Sequence, residues 1–213
     1  MGNHTVEQGE HLALIAEEAG FRDALTVWNA PENAELRKQR DNPYVLFPGD
    51  VIFVPEKTPK TVSVPTTQHH VFVVKIDTLK LQLRLLDFDN RPLANVPAVL
   101  EVEDATFDLV SSGAGAIEHE VPRSARTGRL KVADFGIEIA LSIGELDPVE
   151  KQSGWLARLI NLGYYRGSVT DDGDAAQKLI SWALEEFQCD NGLKVTGKPD
   201  AATLAKLKEM HGS

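Results

Sequence analysis

Residues 174–207 read DAAQKLISWALEEFQCDNGLKVTGKPDAATLAKL, and their spacing decides how the C-terminal third folds. Ala175, Leu179, Ala183 and Phe187 lie four apart, as do Ala176, Ile180 and Leu184. Two adjacent stripes of that period make the buried face of one amphipathic helix, and Asp174 is placed to cap its start. Leu193 to Gly197 reads as a short extended turn. Asp200 then caps a last helix that turns Leu204 and Leu207 inward. Upstream, Trp155, Leu156, Leu159, Ile160 and Leu162 form an apolar face that Gly163 ends. The pattern predicts three helices around one small core over residues 148–213.

The stretch LINLGYYRG (159–167), together with the Phe-Gln, Gly-Leu-Lys-Val-Thr-Gly and Asp-Ala-Ala-Thr-Leu signatures of 187–204, resembles the three-helix peptidoglycan-binding domain appended to many wall hydrolases. The resemblance implies a wall ligand near Leu162, Tyr164 and Tyr165. One loop departs from it. SVTDDGDAAQK (168–178) stands where the family has an Asp-Gly turn followed by Gly-Pro-x-Thr. Its DDGD run lacks the alternating ligands and terminal Glu of a calcium loop, so no metal is expected there.

At the other end, His4-Thr5-Val6 reads as a short strand entering a Gln8-Gly9 turn. Leu12, Ile15, Ala16 and Ala19 follow at helical spacing, closed by Gly20. Val27 and Trp28 precede APENAELRKQR (30–40), where Pro31 suits a first helical turn and Leu36 points inward. Pro48-Gly49 makes a tight turn into the strand Val51–Val54, which Pro55 ends. Strand, helix, helix, strand over residues 1–57 predicts a small βααβ unit. HTVEQGEHLALIA (4–16) with VLFPGDVIFVP (45–55) resembles a LysM domain, a family that binds N-acetylglucosamine glycans between two loops. By position those loops are Gln8, Gly9, Glu10, His11 and Leu12, facing Tyr44, Val45 and Leu46. His11 stands where a small hydroxyl residue is common, and the 31–43 stretch is longer and more charged than the usual connection.

Pro59 and Pro65 among Lys, Thr and Ser mark 58–70 as a semi-extended linker ending in His69-His70. Over 71–147, Leu79, Leu81, Leu83 and Leu85 alternate with Lys80, Gln82 and Arg84, and Ile137, Ile139, Leu141 and Ile143 with Glu138, Ala140 and Ser142. Shorter strands between them, separated by Asn90, Pro92, Pro97, Gly113 and Gly128, predict a β-sandwich. DFDNRPLANVPAVLEV (87–102) resembles the immunoglobulin-like spacers of bacterial proteins. The fold class expected for the chain is therefore multidomain α+β.

The 213 residues carry 22 basic and 32 acidic side chains. The N-terminal 57 residues hold 10 acids against 5 bases, residues 58–147 hold 13 against 9, and the rest 9 against 8. An acidic chain disfavours nucleic acid and anionic membranes as partners. The single Cys189 excludes an internal disulfide and a cysteine-based zinc cluster. The six histidines show no HExxH spacing, and no pair of acids stands out, so neither catalysis nor a cofactor is expected. No basic and apolar leader precedes the first strand, which gives the expectation of synthesis in the cytoplasm. Two wall-type modules in such a chain resemble accessory proteins of contractile injection machines. That implies a non-enzymatic peptidoglycan binder delivered by such a machine, or an adaptor whose modules grip a spike or effector protein.

Overall fold

The protein is described here from a computed structural model that covers residues 2–58, 61–73, 78–87, 89 and 91–212. Pro59 of the expected linker and Asn90 of the expected turn lie outside the described residues. Helices and antiparallel sheets coexist in the α+β sense, and buried apolar side chains gather in three clusters along the chain.

The first cluster forms between β1 (Asn3–Thr5) and β2 (Val51–Phe53), which pair antiparallel with His4 opposite Ile52. Between them run α1 (Leu12–Glu18), α2 (Ala24–Trp28), a 3-10 turn (Pro31–Asn33) and α3 (Ala34–Gln39). The expected βααβ order is thus short by one helix. Asp23 accepts a hydrogen bond from the Leu25 amide and starts a helix of its own, which contains Val27 and Trp28. The charged 31–43 stretch is tied down by polar contacts. Arg37 donates to the carbonyls of Trp28 and Ala30, and Arg40 holds the Asp50 carboxylate with two hydrogen bonds. Buried Asn33 exchanges hydrogen bonds with the backbone of Phe53, so its side chain occupies the free edge of β2.

In the middle third, β3 (Leu79–Arg84) pairs with β6 (Ala116–Val121), while β5 (Ala105–Val110), β4 (Pro97–Val102), β7 (Thr127–Val132) and β8 (Ile137–Ser142) form a four-stranded sheet in that order. Leu100, Val102, Leu130 and Val132 from one sheet share a core with Leu85, Ile117 and Val121 from the other strand pair or its flank. The His119 ring packs at 4.1 Å on Phe107. The alternation of 137–143 misleads for half its length, because Ile137 and Ile139 are exposed. They sit on β8, an edge strand, and only Leu141 and Ile143 reach the core.

The C-terminal third is three helices, α4 (Gln152–Asn161), α5 (Asp174–Asp190) and α6 (Ala201–His211). Trp155, Leu156, Leu159, Ile180, Leu184, Phe187 and Leu207 fill the space between them. Asp174 is not the cap of α5. It is the first helical residue, and the extended Gly173 precedes it, leaving the carboxylate to act on the helix dipole. Asp200 does cap α6, accepting from the Thr203 amide at 3.0 Å.

The three parts touch. Leu79 packs on both of the first two clusters, and Arg123 reaches from the sheet region to the carbonyls of Phe21 and Arg22. Lys208 of α6 meets Asp41 at 2.9 Å, and the Lys151 ammonium lies 4.4 Å from the centre of the Phe47 ring. Residues 61–70 are exposed throughout.

Candidate functional site

A concavity opens on the C-terminal helices. Helix α4 gives way to Gly163, whose φ of +86° turns the chain back along α5. That turn lays Tyr164, Tyr165, Arg166 and Gly167 opposite the outer face of α5, and the two walls enclose a cleft of about 500 Å³. The volume suits a small ligand or a short piece of a polymer.

Each tyrosine is held by a carboxylate. Tyr165, 7% exposed, donates from its hydroxyl to Asp171 at 2.6 Å, and the Ser168 amide donates to the same oxygen at 2.8 Å. The Tyr165 bond and the Ser168 amide hold the Asp171 carboxyl below its ordinary range, while the same bond raises the phenol. A side chain on Gly167 would run into both the Asp171 carboxylate and the Tyr165 hydroxyl, so this tight loop needs glycine. Tyr164 stands edge-on to Phe187 with ring centres 5.2 Å apart and donates to Asp190 at 3.2 Å. Burial, then Asp190, pushes its phenol up.

The facing wall is Ala176, Leu179, Trp182, Ala183 and Glu186. Leu179 is 50% and Trp182 52% exposed. Lys178 places its ammonium 5.0 Å from the centre of the Trp182 ring. Of the three C-terminal residues singled out from sequence, Tyr164 and Tyr165 line the cleft. Leu162 packs at the margin of the helical core. Sequence reasoning missed Arg166, Asp171, Leu179, Trp182 and Glu186 as site residues. Trp182 was the available signal, since it falls on neither four-residue stripe of α5 and so had no core to enter. The unusual 168–178 loop contributes Asp171 and Ala176 to the rim.

The N-terminal loops are placed differently. Gln8 and Tyr44 are exposed, Gly9, Glu10 and Val45 are partly covered, and His11, Leu12 and Leu46 are buried. Glu10 accepts from the Glu7 amide at 2.7 Å and lies 2.8 Å from His4 Nε2. His11 acts as the cap of α1, its Nδ1 accepting from the Leu14 amide at 3.3 Å. Burial, assisted by Arg126, pushes the imidazole pKa down to about 4 and keeps it neutral. The same loop faces the sheet region. A Cβ added to Gly9 would meet Arg126 Nη1 at 3.5 Å, and one added to Gly144 would come within 2.5 Å of the His11 ring.

Residues 157–207 match a family model described as "Putative peptidoglycan binding domain". The match runs from α4 to α6 and contains both walls of the cleft. No curated protein and no solved structure matches the chain. Among the described residues, no helix is long and apolar enough to cross a membrane.

Proposed function

We propose that the protein binds peptidoglycan through the cleft between the 164–171 loop and α5, and that it does so without cleaving it. The observation that carries the reading is the coincidence of two independent facts. The stretch matching the peptidoglycan-binding family holds the cleft, and the cleft exposes Trp182 and Leu179 beside Tyr164. Exposed aromatic and aliphatic side chains in a concave site are what a ligand covers. Asp171 is tied to Tyr165 and Ser168 and held ionised, which suits it to holding the loop in place and removes it as a proton donor.

Co-sedimentation with purified cell-wall sacculi tests the reading on the full chain. Binding should saturate, should fall about tenfold or more in Trp182→Ala, and should leave the turbidity of the suspension unchanged. Full-strength binding by Trp182→Ala would remove the cleft from the account, and progressive clearing would overturn the non-catalytic reading.

A second reading concerns the N-terminal loops. The burial of His11 and the approach of Gly144 and Arg126 favour a protein-contact role for residues 8–12, satisfied within the same chain. Glycan binding at Gly9 and His11 would require their loop to part from residues 126 and 144–145. The likeness of the module order to accessory proteins of contractile injection machines supports a place beside a spike protein. Copurification of a needle or spike component with the full chain tests that part.

A further inference from the structure

Building on the wall-binding reading, we propose that the cleft takes the charged peptide stem of the wall polymer and not its glycan strand. A glycan site needs polar groups free to donate to and accept from hydroxyls, usually with an open aromatic face for the sugar ring. Here the two tyrosine hydroxyls are committed. The Tyr164 hydroxyl donates to Asp190, and the Tyr165 hydroxyl donates to Asp171, which also accepts from the Ser168 amide. The Lys178 ammonium stands 5.0 Å from the centre of the Trp182 ring, so a sugar stacked on that face would have to displace it, while the rest of the exposed ring stays open to apolar cover.

The walls also carry a pair of opposite charges, one on the loop and one on α5, in a cleft that Ala176, Leu179 and Ala183 line as well. Arg166 and Glu186 both line the cleft and both are exposed. Among the described residues neither has a hydrogen-bond or ion-pair partner. Glu186 bears electrostatically on Tyr164, which places it on the tyrosine side of the α5 wall. An arginine fork matches a carboxylate, and a glutamate matches an ammonium. The stem peptides of peptidoglycan carry both ionised groups on a backbone of small apolar residues, whereas the sugar backbone presents neutral hydroxyls and acetamides. Covering Leu179 and Ala176 with the alanyl part of a stem pairs Arg166 with a stem carboxylate and Glu186 with the stem amine.

The test uses the full chain and two soluble probes, a synthetic stem pentapeptide with a free amine on its third residue and an N-acetylglucosamine tetramer. Calorimetry should detect the pentapeptide and not the tetramer. Arg166→Gln and Glu186→Gln should each weaken peptide binding about tenfold with unchanged thermal melting, since both side chains are exposed. Acetylating the peptide amine should reproduce the Glu186→Gln loss and add little to it. The proposal is overturned if the tetramer binds and the pentapeptide does not, or if peptide binding ignores both substitutions. Sacculus binding without peptide binding defeats the peptide assignment and leaves the wall-binding reading standing. Failure to bind either sacculi or peptide defeats both.

Discussion

Gln188 sits fully buried where α5 passes the 193–199 turn, and its amide is used from both ends. Its oxygen accepts from the amides of Thr196 and Gly197, at 2.7 and 3.0 Å. Its nitrogen reaches the Lys198 carbonyl and the hydroxyls of Thr196 and Thr203. One side chain therefore joins α5, the turn and the start of α6. Gln188→Ala strands several of these groups away from water, a loss of about 3–5 kcal/mol. Chemical denaturation should show the C-terminal helices melting early. His11 gives a second prediction at this scale. Its pKa falls from 6.5 to about 4 on folding, so the unfolded chain binds the extra proton in that window. The stabilisation is complete above about pH 6.5 and is lost as pH falls toward 4, up to roughly 3 kcal/mol. His11→Asn, which can still cap α1, should make the acid limb of the stability profile shallower between those values, leaving the share of His211, whose pKa burial also lowers to about 4. An unchanged limb would show that His11 contributes nothing to it.

Helix α5 is one element with two uses. Its C-terminal half drives Ala183, Leu184 and Phe187 into the core, whereas Leu179 on the same stripe is left at the cleft. Phe187→Ala removes a ring with 0% exposure and should cost about 3–5 kcal/mol, a large share of a small fold's roughly 5–15 kcal/mol. Leu179→Ala, one helical repeat and more away, should change stability by no more than about 0.5 kcal/mol while weakening sacculus binding several-fold. Melting curves and co-sedimentation on the two variants separate these outcomes. Equal destabilisation would mean that the Leu179 side chain is packed in solution. The periodicity alone showed that α5 exists. It could not show where the core ends, because that depends on how far α4 and α6 extend beside it.

Across the whole molecule, the contacts made by Arg123, Leu79, Lys151 and Lys208 bring the N-terminal third against the other two despite the exposed 61–70 segment. Gly144 is the tightest point of that seam, with a φ of +84° and the His11 ring directly over it. Gly144→Val adds both backbone strain and a clash with His11. Hydrogen exchange at the amides of residues 9–14 should speed up at least tenfold in that variant, while residues 174–207 keep their protection. If the N-terminal loops can bind glycan once exposed, the same variant should gain affinity for the N-acetylglucosamine tetramer. Unaltered exchange would show that the seam is already open in solution.

The sequence alone determined the local grammar: the stripe of 174–190, the cap at Asp200, the turn at Pro48-Gly49, the antiparallel ends of the first 57 residues and the strands of the middle third. These features follow from forces between residues a few positions apart, such as side-chain period, capping and glycine's freedom at positive φ. Tertiary structure decided what each stripe faces. It placed Trp182 and Leu179 on a cleft, left Ile137 and Ile139 bare on an edge strand, and set His11 under Gly144 instead of in an open groove. Arg166 and Glu186 line one cleft only because the turn at Gly163 brings residues 20 apart onto facing walls. Burial and pocket geometry depend on partners distant in the chain, and no local pattern records which partner arrives.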